Sequence, residues 1–334
     1  MKPDNSPVAK EKLRIAFILA RSFTLSAFAL FVDTLRLASD KQDRSGRVLA
    51  DWQVLGSNRH FVTSSCGVQV APTSDFIEPG NFHYIVVVGG LLDEKRAVDD
   101  ETIKYLRKAD AQKVPLIGVC TGTFILADAG LMEGHQTCVS WLHYEAFRNQ
   151  FPHLKVRADR LFNLDRRRGS CAGGASAADL AALIVRRSLG NDAERNALEV
   201  LQIEKARTFR DIQVRRPLLI ECDDPRIKAV LIVMEQSLGE GLTIAELSSH
   251  VGISRRQLER LFIQKIQLSP AQAYQRIRME RARTLLMQTK ASMVEIALEL
   301  GMENASHFTR AFRRTYGVTP TQARKLAGSE QAKS

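Results

Sequence analysis

Long uninterrupted apolar runs are missing from this 334-residue sequence. No stretch approaches the roughly 18 consecutive apolar residues that a membrane-spanning helix requires. Residues 1–12 are polar and mixed in charge, and they lack the basic-then-apolar order of a secretory signal. We therefore expect a cytoplasmic protein that has no membrane partner.

Cysteine is also sparse and scattered along the chain. The five cysteines, Cys66, Cys120, Cys138, Cys171 and Cys222, are odd in number, and no two of them stand at C-x-x-C spacing. This pattern argues against a disulfide framework and against a zinc site, and it favours reduced thiols in a reducing compartment. We expect the protein to hold no metal ion and no cofactor.

Positive charge is plentiful but unevenly distributed. The formal net charge is +11, and residues 226–334 hold 17 Lys and Arg against 9 Asp and Glu. Residues 1–225 hold 31 against 28 and are almost neutral. A basic segment beside a near-neutral one is typical of a polyanion-binding module joined to a module with a different task.

Short apolar runs alternate with amphipathic stretches through the first part of the chain. Leu13–Ala20, Tyr84–Val88 and Pro115–Val119 are rich in apolar residues, which indicates buried strands. Thr24–Ser39 and Asp99–Gln112 have helical spacing. Strands that alternate with helices predict an α/β domain of the flavodoxin-like type, in which a mostly parallel sheet carries helices on both faces.

The strand signal ends near Asn191, and a later charged segment is interrupted by Pro217 and Pro225. From Arg226 onward the pattern is entirely helical. The predicted organisation is a disordered arm at 1–12, an α/β domain at 13–204, a linker at 205–225, an all-α domain at 226–328 and a disordered tail at 329–334.

Two segments of the all-α domain resemble each other. One begins with Thr243 and Glu246, the other begins with Ser292 and Glu295, and each pair has the pattern of a capping box. A glycine stands six residues after each glutamate, where a short helix would end in a left-handed turn. Each segment therefore predicts a short helix, a tight turn and a second helix.

The second helix of each pair is amphipathic. Leu258 and Phe262 face inward on the first, and Phe308 and Phe312 keep the same four-residue spacing on the second. The opposite faces carry side chains that suit DNA, because Arg can bind guanine, Asn or Gln can bind adenine, and Ser can bind phosphate. The predicted DNA contacts are Arg255, Arg256, Gln257, Arg260, Asn304, Ser306, His307 and Arg310.

The stretch between the two pairs, Pro270–Thr289, predicts a rigid helix of about 30 Å. Neighbouring major-groove faces on one side of B-DNA lie about 34 Å apart. Both second helices of one chain could therefore enter successive grooves, and Arg276, Arg278, Arg281 and Arg283 of the connecting helix could contact phosphates. The alternative is a plain helical bundle with a charged exterior, which leaves the matched caps and glycines unexplained.

From Leu242 to about Leu326 the sequence resembles the AraC/XylS family of transcription regulators. The most specific part is Phe308–Pro320, which reads FTRAFRRTYGVTP. The resemblance implies a double helix-turn-helix fold that binds double-stranded promoter DNA. It also implies an activator that works with RNA polymerase.

A strand and a helix of the α/β domain meet at Gly118-Val-Cys120-Thr-Gly122, which has the pattern of a nucleophile elbow. The glycines permit a strained turn, and the thiolate form of a cysteine is favoured at a helix N-terminus. Gly89 and Gly90 end another strand, and their N–H groups could stabilise an oxyanion.

Leu13–Leu189 resembles the PfpI-like, class I amidotransferase-like domains, most specifically over Gly118–Leu131. The whole chain resembles regulators of the GlxA-like type. Related enzymes place a base histidine where this chain has Ser140, and a glutamate in the stretch that corresponds to Thr24–Ala27. We therefore predict a retired active site that has no catalytic residues and binds a small effector. The predicted ligand contacts are Gly89, Gly90, Cys120, Thr121, Ser140 and Trp141.

Other interpretations of the same residues stay open. The chain could be a PfpI-type cysteine-dependent enzyme with an accessory DNA-binding domain, or a purely architectural DNA-binding protein. Cys120 could be a small packing residue of a tight turn, and Arg166–Arg168 reads as a solvated loop. The resemblance implies a small-molecule effector, such as an amino acid or a small nitrogenous metabolite, and a homodimer.

Overall fold

The computed structural model describes residues 12–40, 42, 44–57, 60–92, 96–209, 211, 213, 220, 222–289 and 291–331. The predicted arm lies outside the described residues except for Lys12, as do residues 210, 212, 214–219 and 221 of the predicted linker and 332–334 of the predicted tail. The chain divides into two compact units, Met1–Gln213 and Val214–Ser334. No helix in the described ranges is long and apolar enough to cross a membrane.

The first unit combines strands and helices. Its strands are β1 (Leu13–Leu19), β2 (Ala50–Gly56), β3 (Val62–Thr63), β4 (Gln69–Val70), β5 (Ser74–Asp75), β6 (Tyr84–Val88), β7 (Leu116–Val119), β8 (Thr137–Cys138), β9 (Val156–Arg157), β10 (Phe162–Leu164) and β11 (Arg168–Cys171). Its helices are α1 (Leu25–Ser39), α2 (Asp100–Ala111), α3 (Gly122–Asp128), α4 (Tyr144–Gln150), α5 (Ser176–Leu189) and α6 (Asn191–Val200).

Seven strands form one sheet in the order β10-β11-β7-β6-β1-β2-β5. Neighbouring strands of this sheet run parallel, except that β10 and β11 are antiparallel. Without the two edge strands the order corresponds to 2-1-3-4-5, which is the order of flavodoxin-like folds. The predicted α/β class with a mostly parallel sheet is therefore confirmed.

Helices cover both faces of this sheet. Ile15, Phe17 and Leu19 of β1 belong to a buried cluster that also contains side chains of α1, α5 and α6. Ala16 and Ile18 belong to a second cluster with side chains of α2, α3 and α4. Successive residues of a strand point to opposite faces, so the part of β1 from Ile15 to Leu19 is buried on both faces and is apolar throughout.

The sequence predicts a solvated loop at Arg166–Arg168, and this prediction is wrong for Arg168. Arg168 begins β11 and is only 5% exposed. Its guanidinium donates to the carboxylate of Asp110 and to the backbone carbonyl of Leu131. A buried charge needs such partners, because burying it without them is costly.

The second unit is helical. Its helices are α7 (Pro225–Gln236), α8 (Ile244–His250), α9 (Arg255–Ile266), α10 (Pro270–Gln288), α11 (Met293–Glu299), α12 (Ala305–Tyr316) and α13 (Pro320–Gln331). The capping boxes of Thr243 with Glu246 and of Ser292 with Glu295 are confirmed, and they begin α8 and α11. Leu258, Phe308 and Phe312 lie in one buried cluster.

The internal repeat extends one helix further than the sequence predicts. Helices α9 and α12 both end at a left-handed residue, Gln267 with φ of 56° and Gly317 with φ of 76°. Ser269 then caps α10, and the side chain of Thr319, 50 positions later, accepts from the N–H of Gln322 in the same way before α13. Each repeat is therefore a set of three helices, α8-α9-α10 and α11-α12-α13.

Candidate DNA-recognition surface and candidate effector site

Helix α9 separates a buried face from a charged one. Ser254 caps the helix, and the N–H of Gln257 donates to its hydroxyl. Leu258 and Phe262 are fully buried one turn apart, and Leu261 is buried beside them, so these three side chains define the inner face of the helix. The outward face presents Arg256 and Arg260, both of them exposed.

Helix α12 repeats this arrangement 50 positions later. Asn304 is the N-cap, and its Oδ1 accepts from the N–H of His307 at 2.8 Å. Phe308 and Phe312 are buried, and their ring centroids lie 5.8 Å apart. The exposed face carries Ser306, His307 and Arg310.

Three of the predicted DNA contacts have other partners in the structure. The Oε1 atom of Gln257 accepts from the N–H of Ser254 at 2.9 Å, and Oδ1 of Asn304 is occupied by the helix cap. A bidentate contact with adenine uses both the oxygen and the nitrogen of the amide, so capping and adenine recognition would share the same side-chain oxygen in these two residues. Arg255 is 2.9 Å from Glu259 in an exposed ion pair.

Arg260 and Arg310 occupy the same position in the two repeats. Each follows a fully buried residue by two positions, Leu258 in α9 and Phe308 in α12. Both arginines are exposed, and neither belongs to an ion pair within the part of the chain that the structure describes. The pair therefore offers two free guanidinium forks on equivalent helices, and a fork of this kind suits guanine.

The four arginines of α10 differ in their contacts within the unit. The guanidinium of Arg278 lies over the Tyr274 ring, 4.1 Å from its centroid, and Arg281 is 2.7 Å from Glu299. These two side chains therefore have partners within the unit, and their contact with phosphates stays a prediction. Arg276 is exposed, and Arg283 is exposed and lies 4.0 Å from Glu280, and both stay candidates for that role.

In the α/β unit, Cys120 sits in the strained turn that the sequence predicts. Its φ is 56°, in the left-handed region, between β7 and α3. A Cβ on Gly122 would lie 2.0 Å from the carbonyl oxygen of Val87, so only glycine fits beside the turn. The Sγ of Cys120 donates to Oγ1 of Thr24 at 3.3 Å.

Among the residues that the structure describes, no group next to Cys120 would activate it as a nucleophile. Its hydrogen-bond partners are a threonine hydroxyl and, at 3.9 Å, the carbonyl of Ala172. The first turn of α1 contains no acidic residue. His143 packs edge-on against Phe124, and burial lowers the pKa of its imidazole, which keeps it neutral near pH 7.

The glycines of the predicted ligand site are used for packing. The N–H of Gly89 donates to the carbonyl of Val119 at 3.0 Å, so the prediction that this group is available to an oxyanion is wrong. A Cβ on Gly90 would lie 1.6 Å from the carbonyl oxygen of Ser22. Thr121 is buried and donates to the carbonyl of Gly90 at 3.0 Å. These three residues hold strand ends together around Cys120.

Ser140 and Trp141 follow β8, which pairs with β9 outside the seven-stranded sheet, and Trp141 begins a short 3-10 helix that Ser140 caps. The Ser140 hydroxyl accepts from the N–H of Leu142, and the N–H of Trp141 donates to Gln213 at 2.8 Å. Gln213 is 6% exposed and donates to the carbonyls of Val139 and Arg160. The two residues are therefore next to the point where the chain leaves the first unit.

The sequence gives no signal for the residues that attach this exit segment. Asp179 of α5 is 3% exposed, and its carboxylate accepts from the backbone and the guanidinium of Arg207 at 2.7 Å. Both Arg207 and Gln213 lie in the predicted linker, whereas the structure packs them against the α/β unit. Neither belongs to a local motif, because their partners are far away in the sequence.

Two protein-family models match the chain. A helix-turn-helix domain family matches residues 247–326, and the DJ-1/PfpI family matches residues 14–153. The HTH-type transcriptional regulator GbdR of Pseudomonas aeruginosa is 32% identical over 97% of this chain and 87% of the relative. The HTH-type transcriptional regulator GlxA of Rhizobium meliloti is 30% identical over 95% and 97%, respectively. The crystal structure of an AraC family transcriptional regulator from Pseudomonas putida matches with a TM-score of 0.49 and 22% identity, and covers 57% of this chain and 99% of that one.

Proposed function

Because the chain belongs to the AraC-type DNA-binding transcription regulators with a DJ-1/PfpI-like domain, we propose that its two recognition helices read neighbouring major grooves of one duplex. The single observation that carries this proposal is the equivalence of Arg260 and Arg310. Each is exposed at the same position of an equivalent helix, and each helix begins at a side-chain N-cap. A protein that used only one helix would have no need for this match.

The connecting helix supports the same geometry. Helix α10 has 19 residues, which corresponds to a length of about 28 Å at 1.5 Å per residue. Its start is fixed by Ser269 and Pro270, and the hydroxyl of Tyr274 donates to the carbonyl of Ser237 inside the unit. A connector anchored in this way suits two helices that must meet grooves one helical turn apart.

Selection of binding sites from random duplex DNA with the full-length chain tests the proposal. We expect a site of about 17–20 base pairs per chain, in which two preferred segments are one helical turn apart. We also expect affinity to fall steeply as salt is raised, since each neutralised phosphate releases counterions. A single short preferred segment, or binding without sequence preference, would contradict the proposal.

We further propose that the bound regulator activates transcription with RNA polymerase and that it acts as a homodimer. Both proposals rest on the resemblance of the chain to relatives that are named transcription regulators. We propose as well that the α/β unit is a retired enzyme that responds to a small effector. The absence of a base beside the Cys120 thiol in the described surroundings supports this role.

Thiol reactivity separates the retired site from an active PfpI-type enzyme. With iodoacetamide at neutral pH, we expect Cys66 to react first, because a hydrogen bond with Ser64 lowers the pKa of its exposed thiol. Burial raises the pKa of Cys171 to about 12, and burial also raises the pKa of Cys138. These two thiols should therefore react only in the unfolded chain.

Peptide mass spectrometry after timed labelling measures these rates, and the unfolded chain serves as the control in which all five cysteines react. Cys120 should react more slowly than Cys66. If Cys120 instead outpaces Cys66, an activated nucleophile is present. That result would favour the enzyme with an accessory DNA-binding domain.

A further inference from the structure

A cleft that the sequence does not predict lies at the carboxyl ends of β1 and β2. Its volume is about 500 Å³, and the start of α2 forms one of its walls. Ile18, Leu55 and Val62 supply apolar lining, and Arg21, Ser57 and Asp99 supply polar groups. Small-molecule sites commonly have this size and this mixture of lining.

The topology of the sheet favours a ligand site at this edge. The chain continues from β1 to β2 on one side, whereas β6 and β7 extend the sheet on the other side of β1. Ligands of open parallel sheets bind outside the carboxyl ends of the strands where the strand order reverses. The cleft is next to that point, because it begins where β1 ends.

The cleft presents one group of each charge. Arg21 is exposed and has no carboxylate within ion-pairing distance in the described ranges. The carboxylate of Asp99 accepts from the N–H of Thr102 at 2.8 Å and from the hydroxyl of Ser57. Burial raises the pKa of Asp99, but these hydrogen bonds and the charge of Arg21 outweigh burial and hold it below its usual value.

We propose that this cleft binds the effector and that the effector is an α-amino acid. Its carboxylate binds the guanidinium of Arg21, and its ammonium group faces the carboxylate of Asp99. Phe61, 66% exposed on the rim, is available to cover the side chain of the ligand. This inference rests on the proposed role of the α/β unit as an effector-binding unit. It places the effector site in the cleft instead of at the residues around Cys120.

The short segment from Arg21 to Thr24 runs from the cleft to the turn at Cys120. The N–H of Arg21 donates to the carbonyl of Ala97 at 2.9 Å, and the N–H of Ser22 donates to the carbonyl of Thr63 at 3.0 Å. Ser22 has a left-handed φ of 53°. Two residues later, Thr24 accepts the hydrogen bond from Cys120. A ligand on Arg21 thus acts on the same short segment that packs against the retired site.

Thermal unfolding of the full-length chain with each of the twenty L-amino acids tests the proposal. At least one should raise the melting temperature, by roughly 5–10 °C at about 100-fold excess over its Kd. Arg21→Ala and Asp99→Asn should each abolish the shift. Asparagine keeps the helix cap of α2 while it removes the charge, and Arg107→Ala, an exposed substitution on the same helix, should leave the shift unchanged.

Chemical variants of the amino acid that binds test its two charges. Its amide lacks the carboxylate and its deaminated acid lacks the ammonium group, and neither should shift the melting temperature of the wild-type chain. The proposal is overturned if no amino acid shifts it, or if the shift survives both Arg21→Ala and Asp99→Asn. It is also overturned if Cys120→Ala abolishes the shift while both cleft variants retain it.

DNA affinity separates failure of this inference from failure of the proposed function. Without amino acid, Arg21→Ala and Asp99→Asn should bind selected DNA as tightly as the wild-type chain. If they do so and no amino acid binds, the cleft assignment is wrong while DNA recognition stands. If the wild-type chain shows no sequence-specific DNA binding, the proposed function itself fails.

Discussion

Gly301→Ala is expected to destabilise the helical unit by about 2–5 kcal/mol, from about 1–2 kcal/mol of left-handed strain and about 1–3 kcal/mol of overpacking. Gly301 has a φ of 62° in the turn between α11 and α12. A Cβ there would lie 2.3 Å from the carbonyl oxygen of Leu238 and 2.9 Å from the nitrogen of Gly241. Both atoms are backbone, so no flexible side chain can move aside.

The equivalent glycine of the first repeat provides the matched control. Gly252 has a φ of 68°, but a Cβ there would meet nothing within 4 Å. Gly252→Ala should therefore cost only the left-handed strain, about 1–2 kcal/mol. Amide hydrogen exchange of α10 and α12 in the full-length chain measures both effects. Equal destabilisation by the two substitutions would show that the second turn is not packed as described.

Replacing both Arg260 and Arg310 should have the largest effect on DNA binding. Arg260→Ala and Arg310→Ala should each cost about 1–3 kcal/mol of binding free energy if each reads a base. That range corresponds to roughly 5- to 150-fold in affinity. Costs at distant, independent sites add, so the double variant should lose about the sum of the two.

Competition binding on selected and random-sequence DNA distinguishes base reading from charge. A base reader should lose affinity for the selected site much more than for random DNA. Arg148→Ala, on α4 of the α/β unit, controls for the loss of one positive charge. Equal losses on both DNAs would mean that the arginines contact only phosphates.

The parts of the structure that could be predicted from the sequence are those that local sequence patterns determine. Capping boxes and apolar spacing involve residues three or four positions apart, and they located the helices of the repeat. The connecting helix is predicted at Pro270–Thr289 and found at Pro270–Gln288. The alternation of strands and helices predicted the class of the first unit for the same reason, since periodicity is a local property.

Two of the predicted DNA contacts are residues whose side-chain oxygen also caps a helix. Residue type makes Gln257 and Asn304 suitable both for reading adenine and for capping a helix. The structure shows that each side-chain oxygen is occupied by a cap. Residue type and spacing do not show which partner holds that oxygen.

Long-range pairs explain the rest of what the sequence did not reveal. Arg168 pairs with Asp110, which stands on a different element, and Arg207 pairs with Asp179. The cleft combines Arg21 after β1 with Asp99 before α2. Arg21 and Asp99 line one cleft because parallel strands bring their carboxyl ends to one edge of the sheet. No local motif marks any of these pairs.

Site selection with each arginine variant tests most directly whether one chain reads two grooves. Random duplex DNA would be selected in parallel with the wild-type chain, Arg260→Ala and Arg310→Ala. We expect two base-specific segments about 10–10.5 base pairs apart, with Arg260→Ala relaxing the preference in one segment and Arg310→Ala relaxing it only in the other. If both substitutions alter the same segment, or neither alters any, the two helices do not read neighbouring grooves.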